Sequence, residues 1–302
     1  MTAVQPVTLH DPSSSLTATY VPAAGMICTS LADDDTGIEY LGQRRGLQAY
    51  LTDGKTMGLP ILYPWANRLS ANEYRVGDTT VRVTPGANGV RADAHGAPMH
   101  GVLAANPDWQ VVEQTGNTLT ADLDWGAESG RLATFPFPHR LSMAVTLADR
   151  TLTVSTTVAP TADRSVPLCY GYHPYVTIPG VPREDWQLQT PPMRHLLVDD
   201  LGLPTGESRE WPGGAPRLGT TELDDGFDHV EPGSVFTLSG GSHRIDVRFD
   251  DGYTAAQLFA PVNDAVMGIE PMAAPTDALR RGNYRMAAPG NPETAIFSIR
   301  VG

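Results

Sequence analysis

Along much of the chain, apolar and polar residues alternate with a period of two, the pattern of strands with one buried face. Tyr74-Arg75-Val76 and Thr79 to Val83 flank Gly77-Asp78 and predict a hairpin with a two-residue turn. Trp109 to Val112 and Leu119 to Leu123, on either side of Thr115-Gly116-Asn117, predict another. Leu141 to Leu147 is followed, after Ala148-Asp149-Arg150, by Thr151 to Val158, a hairpin rich in β-branched residues. Val235 to Leu238 and Arg244 to Phe249 flank Ser239-Gly240-Gly241-Ser242 in the same way, and Ala295 to Val301 reads as a closing strand. Helical signals are confined to Arg44 to Leu51, ended by Asp53-Gly54, and to Thr276 to Arg281, with Thr276 as N-cap after Pro275. No internal repeat, low-complexity linker or composition break interrupts this order. The pattern predicts an all-β chain, one large antiparallel domain over residues 1–302, built as a sandwich or barrel.

Composition agrees. Thirty glycines and 26 prolines in 302 residues favour short strands and turns over long helices. The net charge of −13 repels phosphate backbones and anionic lipid, so neither a nucleic-acid nor a membrane partner is expected. Cys28 and Cys169 are the two cysteines, far apart and outside any CxxC pair, so neither a structural zinc site nor a disulfide framework is implied. The opening MTAVQPVTLHDP lacks the basic and apolar regions of a signal peptide, and no apolar run reaches membrane-spanning length. These features predict a cytoplasmic protein.

Candidate chemistry concentrates in a few segments. His10, His195, His229 and His243 stand in polar, turn-like contexts and read as surface histidines. His173, in Cys169-Tyr170-Gly171-Tyr172-His173-Pro174-Tyr175, is held extended by the following proline and flanked by tyrosines. Spacing alone leaves open a strand histidine among core rings or a titrating group in a cleft. Glu270 is the single carboxylate of the apolar run Ala265 to Met272. Buried, it would have the raised pKa that a general base near neutrality needs; turned outward before Pro271, it would be an ordinary strand end. Arg68 follows the apolar, aromatic stretch Gly58 to Asn67, either as a surface residue packing its stem or as a donor fork aimed into a pocket. Asp224-Asp225 reads first as an acidic turn. Phosphate loops of the GxGxxG or GxxxxGK[ST] type, HExxH and GxSxG are absent. His95, His100 and Glu270 make a metal site only on paper.

Five of these segments, in this order, resemble the aldose 1-epimerase (galactose mutarotase) family. They are Pro60 to Leu69 with Asn67-Arg68, Met99-His100-Gly101, Tyr172-His173-Pro174-Tyr175, Leu223 to Phe227, and Gly268 to Met272. Each is short, but together they span nearly the whole chain. The resemblance implies a large antiparallel β-supersandwich with a sugar site in a cleft. It also implies roles: Glu270 as general base, His173 as general acid, and Arg68, His100 and Asp224, with Asn67 and Tyr175, holding the sugar. Asp225, Leu69 and Val176 fall where relatives vary. The activity implied is interconversion of the α and β anomers of a free aldose such as glucose or galactose, with neither metal nor organic cofactor. The partner is a small sugar, and the chain is a monomer or homodimer. Tyr63, Trp65, Trp109 and Tyr175 are cleft walls or core. Three alternatives stay open: a binder that keeps the fold without catalysis; a hydrolase or lyase pairing Glu270 with Asp224 or Asp225; and a mutarotase for a phosphorylated or sulfonated hexose, with Arg75, Arg91 and Arg131 as candidate anion contacts.

Overall fold

The computed structural model describes residues 5–302. Burial alternates along Thr118–Asp124, His139–Ala148, Thr151–Pro160, Glu293–Val301 and His243–Asp251, so each puts one face into the core and the other into water. They form the middle of an antiparallel eight-stranded sheet, extended by Gln110–Gln114 at one edge and by Ser234–Gly240 and Gln187–Gln189 at the other. The hairpins expected from the sequence are all present. Two turns are shorter than expected: Ala148 already pairs with Thr151, leaving Asp149-Arg150, and in the last hairpin Ser239 and Gly240 are still in the ladder. A second eight-stranded sheet runs in the order Pro204–Trp211, Met193–Val198, Leu223–Asp228, Ala255–Ala260, Met267–Met272, Gly171–Tyr172 and Ile61–Leu62, with Tyr175–Val176 also pairing Met267–Met272. Side chains bridge the two sheets: Tyr172 meets Phe297 with ring centroids 4.9 Å apart, and its hydroxyl bonds Thr156 Oγ1 at 2.6 Å. The architecture is the expected all-β, antiparallel supersandwich.

The second sheet positions the site, because its central strands are buried on both faces. All six residues of Met267–Met272 are buried. Met267 and Ile269 enter the main core, whereas Met272 packs with Leu62, Ala66 and Ala255 on the other side. Alternation therefore turns Gly268, Glu270 and Met272 away from the main core. That strand reads as a continuous apolar run because both faces are covered.

Helix is sparse, as expected. Gly46–Asp53 ends at Gly54 in the left-handed region, φ 65°. The other expected helix is reduced to Ala278–Arg281, and Thr276 is not its N-cap. Asp277 holds that position with φ 65°, and Thr276 Oγ1 instead accepts a hydrogen bond from Asn67 Nδ2 at 3.0 Å. His195 is also not a surface residue: it is buried on strand Met193–Val198. Tyr63, Trp65 and Trp109 belong to the core.

A four-stranded sheet, Val7–His10, Leu16–Val21, Ile27–Asp33 and Ile38–Glu39, is pinned to the first large sheet by two buried carboxylates. The turn Asp149-Arg150 has positive φ at both residues, 50° and 57°. Asp11 accepts from the backbone N–H of Asp149 at 3.1 Å and of Arg150 at 2.7 Å, as well as from Ser13 and Ser14. Asp33 accepts from Arg150 Nη1 at 2.8 Å. Burial would push the Asp11 carboxyl up, but hydrogen bonds from Ser14, Ser13 and the Arg150 backbone outweigh it and hold the group well below the usual carboxylate range. The Arg150 hydrogen bond lowers Asp33 to about 2. Both folded values lie below the unfolded ones, so this stabilisation is complete above the unfolded pKa near 4 and is lost as pH falls through the folded values. We expect Asp11→Asn to cost about 1.5–3 kcal/mol at pH 7. In urea unfolding, the gap between wild type and Asp11→Asn should narrow from pH 5 towards pH 2; a gap independent of pH would refute this role.

Candidate active site

Strand pairing brings the site together. Gln257 lies opposite Glu270, Phe259 opposite Gly268, and Asp224 opposite Phe259. Directly paired residues share a face, so Asp224, Gln257, Phe259, Gly268 and Glu270 line one side of the sheet. Tyr175 joins them opposite Gly268, and His173 is carried between Gly171–Tyr172 and Tyr175–Val176, its N–H donating to Pro60 O at 3.1 Å. The same alternation sends Asp225 to the reverse face. There it bonds His195 Nε2 at 2.8 Å, and Arg209 Nε donates to His195 Nδ1 at 3.0 Å.

At the centre, Glu270 Oε1 lies 3.2 Å from His173 Nε2, with the residues 1% and 5% exposed. Glu270 Oε2, His173 Nδ1 and His100 Nδ1 are buried and make no hydrogen bond within the protein. The His173 ring stacks on Tyr175 at 4.0 Å between centroids and meets His100 edge-on at 5.9 Å. Burial raises the Glu270 pKa well above the usual carboxylate value, reinforced by Asp224 and opposed by Arg68. Burial lowers His173 well below the usual imidazole value, helped by His100 and Arg44. The same cause, with Arg68 and Arg91, lowers His100 to about 3. Both shifts favour the uncharged forms of the Glu270–His173 pair, and near neutrality His100 is neutral.

Around this pair the polar side chains are mutually fixed. Arg68 Nε donates to Asp93 Oδ2 at 2.9 Å, and an Arg68 Nη lies 3.8 Å from Asp224 Oδ2. Gln257 Nε2 donates to Asp224 Oδ1 at 2.7 Å, and Gln257 Oε1 accepts from Asn67 Nδ2 at 3.2 Å. The backbone at Asn67 and His100 is left-handed, φ 51° and 60°, and His100 N–H donates to Asn67 O at 2.9 Å. Gly101 follows at φ 66°, where a Cβ would lie 2.0 Å from Tyr63 O, so only glycine lets the two segments approach. Asp277 holds the far end of the arginine turn, accepting from Ser70 N–H and Oγ, each at 2.8 Å. His100 and Arg68 line a cleft of about 950 Å³ together with Thr56, Lys55, Arg91 and Asp93.

All seven residues singled out from the sequence thus fall in one neighbourhood, but they are placed differently. His100, Arg68 and Asp224 present polar atoms near the pair. Asn67 is buried, with its amide committed to Gln257 and Thr276. Tyr175 is buried, with its hydroxyl on Thr56 Oγ1 at 2.5 Å. Gln257 is the residue that sequence reasoning missed, although a lone polar side chain in Ala255–Ala260 is the signal that marked Glu270. Of the three candidate anion contacts, only Arg91 lines the cleft; Arg75 is on the exposed face of its hairpin and Arg131 is buried against Asp108. Among the described residues, no three His, Cys, Asp or Glu side chains converge as metal ligands.

The profile of the aldose 1-epimerase family matches residues 7–295. Among solved structures, the Slr1438 protein of Synechocystis sp. PCC 6803 is 22% identical with a TM-score of 0.80, covering 99% of this chain and 96% of that one. A galactose mutarotase related enzyme from Lactobacillus acidophilus is 18% identical with a TM-score of 0.79, covering 99% and 97%. A GalM/aldose epimerase homologue from C. elegans is 15% identical with a TM-score of 0.80, covering 99% of each chain. At these identities the likeness is one of fold. No curated protein sequence matches the chain.

Gly268 tests the packing of the pair. A Cβ there would lie 3.0 Å from Phe259 Cβ, 3.1 Å from His173 Cε1 and 3.4 Å from Glu270 Oε1. Gly268→Ala should displace the imidazole and cost about 1–3 kcal/mol of stability. Its His173 ring resonances in NMR should shift from those of wild type; unchanged resonances and stability would mean that the contact is loose.

Proposed function

The chain belongs to the aldose 1-epimerase family, and from that premise we propose that it interconverts the α and β anomers of a free aldose, such as glucose or galactose, by acid–base ring opening. The observation that carries this reading is the buried contact between Glu270 and His173. Ring opening needs one proton taken from the C1 hydroxyl and one delivered to the ring oxygen. Glu270 as carboxylate accepts the first while His173 as imidazolium gives the second. The C1–O5 bond breaks, its electrons go to O5, and a C1 carbonyl forms. The pair then holds its proton on Glu270. After rotation about C1–C2, the steps run backwards and close the ring on the other face. The proton count of the pair is the same before and after, so no cofactor is required by the balance. Arg68, His100 and Asp224 hold the hydroxyls, and their mutual hydrogen bonds and contacts support the positioning part of the rate gain. Asn67 and Gln257 act through these side chains, and Tyr175 through the His173 ring on which it stacks.

A matched acid and base in a water-poor pocket speaks for chemistry over binding alone. A second substrate reading rests on Arg91, whose guanidinium donates to the carbonyls of Gly54 and Ala104 in the cleft wall, beside the exposed Lys55. Such a wall suits an anionic substituent on the sugar.

Polarimetry on freshly dissolved α-glucose and α-galactose tests the proposal directly. Wild type should speed the decay of rotation, and Glu270→Gln or His173→Asn should slow turnover by roughly 10²–10⁴-fold. Full turnover in Glu270→Gln would remove the assigned base. The rate should also fall on both sides of neutrality. The acid limb marks entry of a second proton into the pair, and the alkaline limb marks loss of its only one. Because burial lowers His173 and raises Glu270, the two limbs should lie far apart. Anomer-exchange NMR with glucose and glucose 6-phosphate separates the substrate readings. Arg91→Gln should weaken turnover of the phosphate ester alone if the anionic reading holds.

A further inference from the structure

An arginine outside the polar network lies against the rings that hold the acid. Arg44 places its Cζ 4.6 Å from the Tyr175 ring centroid and 5.7 Å from that of Phe259. Tyr175 is the ring stacked on His173 at 4.0 Å and 20° between planes, and Phe259 meets His173 edge-on at 5.6 Å. Arg44 has φ 44°, a left-handed conformation that a non-glycine residue adopts only at a cost. Its one carboxylate neighbour, Asp264, is partly exposed and 3.6 Å from Arg44 Nε, too distant for a close hydrogen bond.

Resting on the reading of His173 as the acid, we propose that Arg44 is a positioning residue for it: the guanidinium holds the Tyr175 ring against the imidazole and disfavours a lasting positive charge there. A planar guanidinium is suited to both tasks, since it stacks on an aromatic ring while staying ionised. The groups facing His173 are Glu270 from Met267–Met272, His100 from the segment after Pro98–Met99, Phe259 from Ala255–Ala260, and Tyr175 beside it. Arg68 and Asp224 act on Glu270, and Asp264 acts on Arg44. Of these, Glu270 favours a charged imidazole. Arg44 opposes it, in the same direction as burial and His100. An imidazole that gives up its proton readily is the better acid towards a ring oxygen.

The test is an NMR titration of the His173 ring together with the pH profile of kcat/KM, in Arg44→Met and Arg44→Lys. Arg44→Met keeps an apolar stem and removes the charge. Its His173 midpoint and the acid limb of its profile should both move to higher pH, by roughly half to one unit. Arg44→Lys keeps the charge and should return the midpoint towards wild type. An unmoved midpoint in Arg44→Met, or an equal shift in both variants, would overturn the proposal. The titration reads the link between Arg44 and His173 without any sugar, so it decides this point even if polarimetry shows no turnover and the assignment of function fails.

Discussion

Burying Glu270 against His173 takes a carboxyl group and an imidazole out of water together. Alone, either would lose its hydration with nothing in return, and would stay neutral. Side by side, with Oε1 and Nε2 3.2 Å apart, a proton can pass from one to the other. The surroundings follow from that requirement. The strand carrying Glu270 must be covered on both faces, and the His173 ring must be held so that Nε2 faces the carboxyl. The stack on Tyr175 and the edge of His100 do the second.

The polar residues nearer the cleft meet a different constraint. Arg68 and Asp224 must stay aimed without collapsing onto the central pair. Asp93 takes one edge of the guanidinium, while Gln257 anchors the Asp224 carboxylate from the neighbouring strand. Asn67, fixed by Gln257 and Thr276, ties the arginine turn to the sheet, and Asp277 ties its other end through Ser70. Segments far apart in the chain thus fix one another through groups that also set the charge at the centre. Such a network gains from being complete, since a half-satisfied buried polar group is costly.

The remaining charge is spread elsewhere. A protein of net charge −13 has Lys55, Arg68 and Arg91 gathered in the wall of its cleft, with Asp53 and Asp93 among them. Net charge describes the whole surface and its long-range field, whereas recognition of a small molecule depends on the few groups within a Debye length of it.

The strands were legible in the sequence because one-sided burial writes a period of two, and the hairpins of the first large sheet carry it plainly. Glu270 and His173 stood out because a lone titratable residue in an apolar or aromatic run contradicts its surroundings. That logic is local, and it fails where the partner is distant. It read Thr276 as a cap when its hydroxyl serves Asn67, and it read His195 as exposed when it is buried between Asp225 and Arg209. It also passed over Gln257, whose meaning lies in facing Glu270 across a strand pair. Nor does adjacency separate Asp224 from Asp225; the pleat does, by turning one to each face. The sequence by itself determined which segments are strands and which residue types carry chemistry, because those depend on near neighbours. Only the tertiary structure decided which of those residues meet, because strand order and register are set by contacts between segments as many as two hundred residues apart, such as Asn67 with Thr276.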